Sequence, residues 1–219
     1  MHIPDGLIWP PILAIGWVIA LVAIAISIRK TTRHIPEDKI PTMAVLAAGI
    51  FVAQMLNFPI IGGTSGHLIG AAIATAIVGP WAAILIMSVV IIIQGLMFGD
   101  GGILSLGINL TNMAVTAVAV SWAIIRLMRN VKMDFSVAFS AWAAVFVASL
   151  ICALELAFSY SMSPEYGIIG TISIPTMAGF HAIIAIGEAA ISTGVIAYLA
   201  HVSPEIVQSF ERKAEVTTQ

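Results

Sequence analysis

From Trp81 to Phe98 the chain carries no acidic or basic side chain, and that run is one of several. A helix of about 20 apolar residues crosses the hydrocarbon of a bilayer. In water the same segment needs apolar cover on every face. Composition leaves no source of that cover: 60% of the 219 residues are hydrophobic and 9% are charged, where about 25% charged is usual for a soluble protein. The nine Lys and Arg with eleven Asp and Glu cannot coat a soluble domain of this size. A soluble enzyme, a disordered chain and a coiled coil are therefore excluded. A net charge of −2 without a basic patch excludes a nucleic-acid binder. One cysteine excludes a disulfide framework and a Cys-based zinc site. A polytopic, all-α membrane protein remains.

Seven apolar segments are predicted, at about Ile12–Ile28, Pro41–Asn57, His67–Gly79, Trp81–Phe98, Ile103–Ile125, Phe135–Tyr160 and Pro175–Ala200. The third is short and carries Gly70 and Thr75; a segment packed against protein can be short. Basic residues then orient the chain. Arg29, Lys30, Arg33 and Lys39 follow the first segment, Arg126, Arg129 and Lys132 the fifth, Arg212 and Lys213 the seventh. With seven crossings all nine fall on one face, which is the cytoplasmic one. Merging the third and fourth segments would split them across the membrane. The N-terminus is expected outside and the C-terminus inside, as one membrane domain over 1–219 with a cytoplasmic tail at 201–219. His34 and His201 fall in cytoplasmic segments.

Residues 1–10 have no basic region and no small-residue cleavage site, so no secretory signal is expected. Met1 is expected to stay, because His2 is too large for removal of the residue before it. Small residues recur every four positions at Ala44/Ala48, Gly66/Gly70, Ala71/Thr75/Gly79 and Ala72/Ala76. This spacing lets helix backbones approach closely. Packing within the chain is the plainer use of it, a docking face for another subunit the sharper one.

Polar residues at membrane depth are functional candidates. Here they are His2, Gln54, Asn57, His67, Gln94, Asn109, Asn112, Glu155, His181 and Glu188. The Met1 amine, the His2 amide nitrogen and the His2 imidazole can close two fused chelate rings around one ion. Deprotonating the amide takes a late first-row cation, and nitrogens in a plane suit Ni²⁺ or Cu²⁺ rather than Mg²⁺, Ca²⁺ or tetrahedral Zn²⁺. A second-position His alone is more often part of a frayed end. The residues that follow, Ile3-Pro4-Asp5-Gly6-Leu7-Ile8-Trp9, are apolar with a turn signal, so this end can fold inward. His67, in Gly62-Gly63-Thr64-Ser65-Gly66-His67, lies on the same outer face. It reads equally as a fourth nitrogen or as a capping histidine. Thr64 and Ser65 can cap the turn or support the ligands, and His181 and Glu188, seven apart, share a helix face. No His-Glu-x-x-His, Gly-x-Ser-x-Gly or P-loop is present, so the chain cannot hydrolyse ATP itself.

The opening Met1-His2-Ile3-Pro4-Asp5-Gly6 resembles the start of the CbiM/NikM family, the substrate-binding membrane subunits of energy-coupling factor (ECF) importers for cobalt and nickel. Ser65-Gly66-His67-Leu68-Ile69-Gly70, Phe98-Gly99-Asp100-Gly101-Gly102-Ile103, Gly107-Ile108-Asn109 with Asn112-Met113, and His181 through Glu188 extend the resemblance over essentially the whole chain. It implies seven helices, a prokaryotic cell-membrane location, and an N-terminal segment inserted from outside. It also implies a metal held by the Met1 amine, the His2 amide and ring nitrogens, and His67. Asn109, Thr64, Ser65, His181 and Glu188 are the candidates to support them. Implied partners are a transmembrane coupling subunit, cytoplasmic ATPases and a small accessory membrane subunit. The ligand is expected to be Ni²⁺, with Co²⁺ the alternative, and no cofactor is expected. A competing reading is a proton-coupled carrier of metal or small solutes using Glu155, His181 and Glu188. A structural subunit without a ligand would leave the Met1-His2 start unexplained.

Overall fold

The structure, a computed structural model, describes residues 1–60 and 64–204. Gly62, Gly63, Arg212, Lys213 and the rest of the tail from residue 205 lie outside the described residues, as does the side chain of His34. The chain is mostly helical. Helix α1 is Pro10–His34, α2 Ile40–Gln54, α3 Ala71–Val78, α4 Pro80–Met97, α5 Leu106–Leu127, α6 Met133–Met162 and α7 Gly170–Val202. Helices α1, α2 and α4 each carry Pro in the first turn, where the missing N–H would have no helical partner anyway. Between α2 and α3 sits a small antiparallel hairpin, β1 (Phe58–Ile60) with β2 (Thr64–Gly66), in which Pro59 lies opposite Ser65.

Five of these helices (α1, α4, α5, α6 and α7) are long and apolar enough to cross a membrane. Their outward faces are apolar too: Ile15, Val18, Leu21 and Val22 on α1, and Ile183 and Ile186 on α7, are exposed. Contiguous apolar surface on this scale is stable against lipid and not against water, so the chain is a multi-pass membrane protein. Inside, Met87 and Ile91 of α4, Leu110 and Met113 of α5 and Leu156 of α6 are fully buried. Helices α6 and α7 pack together, and Ser173 donates to the carbonyl of Ala153 at 3.2 Å.

The third segment differs from expectation. His67 lies in irregular backbone, and α3 begins only at Ala71. Its eight residues span about 12 Å. The late start has a physical cause. Glu188, from the middle of α7, accepts the N–H groups of Ile69 (2.8 Å) and Gly70 (2.6 Å), and Gly70 is left-handed at φ +82°. The carboxylate thus fills the place of a capping residue at the helix N-terminus. Ala71, Ala72, Ala74, Thr75 and Ala76 are all buried, so the small-residue spacing here serves packing within the chain. Ala44 and Ala48 of α2 are exposed instead. Pro175, expected to open the last segment, lies inside α7, which starts at Gly170.

Candidate metal centre

The first nine residues are a plug, not a frayed end: Met1, His2, Ile3 and Ile8 are buried. Sequence alone shows the reason only in part, since the partners are 60 to 150 residues away. Asn109 of α5 binds Ile3 reciprocally, its Oδ1 accepting the Ile3 N–H at 2.9 Å and its Nδ2 donating to the Ile3 carbonyl at 3.1 Å. Gly102 N–H donates to the same carbonyl at 2.9 Å. The Asp5 carboxylate accepts the N–H groups of Ile103 (3.0 Å) and Ser105 (2.9 Å). Gly167 donates to the Leu7 carbonyl at 2.8 Å, and Trp9 N–H to Ser159 Oγ at 3.2 Å. The plug explains Gly101 and Gly102 of Gly99-Asp100-Gly101-Gly102. A Cβ on Gly102 would lie 1.9 Å from Asp5 Oδ1, and one on Gly101, at φ +88°, would press on Asn109 and His2.

The plug delivers Met1 and His2 to the β2–α3 loop. The Met1 amine donates to the Ser65 carbonyl and lies 3.1 Å from Ser65 Oγ, which also accepts the His2 N–H at 3.1 Å. The His2 and His67 rings stack, centroids 4.8 Å apart and planes at 27°. His67 Nδ1 lies 2.7 Å from the Leu68 carbonyl. A carbonyl only accepts, so Nδ1 carries the proton and Nε2 keeps its lone pair. His67 Nε2 and both ring nitrogens of His2 are buried without a hydrogen-bond partner. Such orphans cost about 1–3 kcal/mol each in a folded protein, which marks them as donors kept for something else. His2 Nε2 faces Asp100 Oδ2 at 3.5 Å, and Asn57 donates to that oxygen at 2.7 Å. An acceptor there favours the tautomer with the proton on Nε2, leaving Nδ1 as the lone-pair nitrogen.

Burial sets the charge of these donors. It lowers the Met1 amine from 8.0 to about 5, against the nearby Cys152 and Asp100, which act to raise it. It lowers His2 from 6.5 to about 3, with help from the amine. Asp100 is shifted the other way, upward, by its own partial burial, against the amine and Asn57. Amine and imidazole are both neutral at pH 7, the state in which each keeps a lone pair that a metal ion could use. The unfolded chain binds the extra proton on Met1 between about pH 5 and 8, so metal-free stability should fall as pH drops through that window. Thermal melts of the metal-free protein at stepped pH test this; a midpoint that rises toward acid would contradict it.

The remaining sequence candidates separate. Ser65 and Asn109 hold the N-terminal segment. Thr64 instead donates to Met177 Sδ at 3.0 Å. Glu188 grips the Ile69 and Gly70 amides and so fixes the loop behind His67. His181 is buried, with Nδ1 2.9 Å from the Met177 carbonyl and Nε2 unpartnered. Glu155 accepts from Asn112 at 2.6 Å, in the stretch Thr111–Thr116 where α5 is π-helical. Among the described residues no hydrogen bond joins Glu155, His181 and Glu188 to one another. Nor do three His, Cys, Asp or Glu side chains converge to hold a metal by themselves; the main-chain nitrogens of Met1 and His2 are needed to raise the donor count. Asn57, one of the polar candidates in the sequence, donates to Asp100, which sequence reasoning did not single out. The signal for Asp100 was its place in the Gly-rich motif.

A bundle of apolar helices closes around an inserted N-terminus, with His2 and His67 stacked beside it, in a multi-pass membrane protein, and the comparisons bear on which kind. A candidate metal transport protein of Haloquadratum walsbyi is 41% identical over 94% of this chain and 93% of its own length. The fused nickel transport protein NikMN of Rhodobacter capsulatus is 33% identical over 94% of this chain and 64% of its own length. The crystal structure of a truncated transition metal transporter superposes with a TM-score of 0.87 at 34% identity, covering 92% of this chain and 99% of that one. The family model CbiM, described as the cobalt uptake substrate-specific transmembrane region, matches residues 2–206. The chain belongs to the CbiM family, and it is a nickel or cobalt transport component of the CbiM/NikM type.

Proposed function

We propose that the chain is the substrate-capturing subunit of an ECF-type, ATP-driven importer, and that it takes Ni²⁺ from the outer face at four nitrogens. These are the Met1 amine, the His2 amide nitrogen, His2 Nδ1 and His67 Nε2. The carrying observation is the meeting of a neutral, fully buried N-terminal amine with unpartnered ring nitrogens of His2 and His67. The amine and amide of one peptide unit close a five-membered ring, and the amide and Nδ1 of His2 a six-membered one. Fused rings of these sizes favour a plane, and a nitrogen plane suits low-spin Ni²⁺ better than Co²⁺. Asp100 steers the His2 tautomer; Ser65 holds the two main-chain nitrogens side by side before the ion arrives.

In this reading α2 and α3 complete seven crossings, with the N-terminus outside and the basic loops in the cytoplasm. The chain lacks a P-loop, so a coupling subunit and cytoplasmic ATPases reorient it for inward release, alongside a small accessory membrane subunit. Titration of the purified protein with Ni²⁺ and Co²⁺ tests the site. Tight one-to-one binding with Ni²⁺ preferred is expected; absence of binding to either ion would refute the reading. Asp100→Asn should weaken binding roughly 10–100-fold, the usual effect of losing a group behind a ligand. His67→Ala removes a donor and should exceed that. An H67A protein binding as tightly as the parent would exclude the fourth nitrogen. The His2 amide gives up its proton to solvent as the ion binds, so affinity should fall about tenfold per pH unit, and more steeply below about pH 5, where the amine of Met1 gains its proton.

A further inference from the structure

Away from the metal centre, α1, α4 and α5 enclose an apolar groove of about 530 Å³. Val18, Val22 and Ile26 of α1 form one wall; Trp81 of α4 with Ala119 and Trp122 of α5 form the others. We propose that this groove holds an acyl chain of an anionic phospholipid from one leaflet, with its headgroup bound by Arg29, Arg33 and Arg126.

Length argues for a lipid. From Val18 to Ile26 is eight helical rises, about 12 Å. That is close to the ~15 Å of hydrocarbon in one leaflet and well short of the ~30 Å that a crossing helix would occupy. Charge argues for the headgroup. On the basic side the lining runs to Ile26 of α1, about two turns before that helix ends, to Trp81 at the start of α4 and to Trp122 near the end of α5. The next residues on the groove face are basic. Arg29 and Arg33 lie three and seven positions past Ile26, hence on its face of α1. Arg126 lies four past Trp122, and its guanidinium sits 5.4 Å from that ring's centroid. All three arginines are exposed. Half-exposed Trp81 and Trp122 mark the interface, where indole rings collect. An apolar slot one leaflet deep with cations over its mouth complements a phosphodiester on an acyl chain.

The test uses Trp81 and Trp122 as reporters, in a protein whose other three tryptophans, Trp9, Trp17 and Trp142, are replaced by Phe. The protein is reconstituted in phosphatidylcholine vesicles and titrated with phosphatidylglycerol or phosphatidylcholine carrying dibrominated chains. Phosphatidylglycerol should quench at a lower mole fraction, with a preference of about fivefold for each headgroup arginine engaged. Arg29→Gln, Arg33→Gln and Arg126→Gln together should abolish the preference and leave quenching by both lipids equal. Ala119→Phe fills the groove from an exposed helix face, and should remove saturable quenching while metal binding stays unchanged. Equal quenching by the two lipids in the parent protein would overturn the proposal. So would an A119C variant of the assembled transporter that crosslinks to a neighbouring polypeptide instead of lipid.

Discussion

Two residues added before Met1 are expected to abolish high-affinity Ni²⁺ binding. The added peptide bond turns the amine into an amide, which removes one donor and the terminus that closes the five-membered ring. Space compounds the loss. Met1 is fully buried against the Ser65 carbonyl and hydroxyl, so further residues have no room, and overpacking a filled site costs about 1–3 kcal/mol by itself. Together these put the loss on the order of 1,000-fold or more, equivalent to about 4 kcal/mol. Calorimetry on the native and extended proteins, matched in helical content, gives the comparison. Equal affinity in both would remove Met1 from the site and leave the imidazoles of His2, His67 and His181 to account for binding.

Gly102→Ala is expected to have an effect nearly as large from a residue that touches no metal. Its Cβ would fall 1.9 Å from Asp5 Oδ1 and 2.3 Å from Asp5 N. Both are well inside van der Waals contact, and Asp5 cannot retreat without giving up the Ile103 and Ser105 amides. The plug should leave its seat while the apolar bundle, anchored elsewhere, keeps its helices. Binding should then be lost with circular dichroism unchanged. Asp5→Gly in the same chain should not restore the affinity, because the clash with the backbone nitrogen of residue 5 remains and the acceptor for the Ile103 and Ser105 amides is gone. A G102A protein that binds like the parent would mean that the N-terminal segment does not need this seat.

Much of the molecule was legible along the chain because the bilayer reads composition and length. A segment without charges that is long enough to cross is a helix in lipid, since each backbone group must be satisfied within it. That argument located the helical segments from the row Ile12–Ile28 to the row Pro175–Ala200, and the basic clusters between them carried an orientation. It misjudged ends. The segments predicted from His67 and Pro175 begin elsewhere as helices, α3 at Ala71 and α7 at Gly170. The α3 start is set by Glu188, which is 118 residues from Gly70 and has no local signature.

The donor atoms themselves were also readable. An amine, an amide and an imidazole in the first two residues are a chelator by covalent structure, whatever the fold does. What only the tertiary structure decided is whether they are presented or idle. Ile3 is held by Asn109 and Gly102, and Asp5 by the amides of Ile103 and Ser105. These contacts turn a flexible end into a buried one, strip the charge from its amine by desolvation, and set it against His67. Spacing in sequence cannot encode such contacts, because they join residues about 100 positions apart through the packing of helices. The proposed chelate therefore resides in the first two residues, and its presentation beside His67 in the bundle that closes around them.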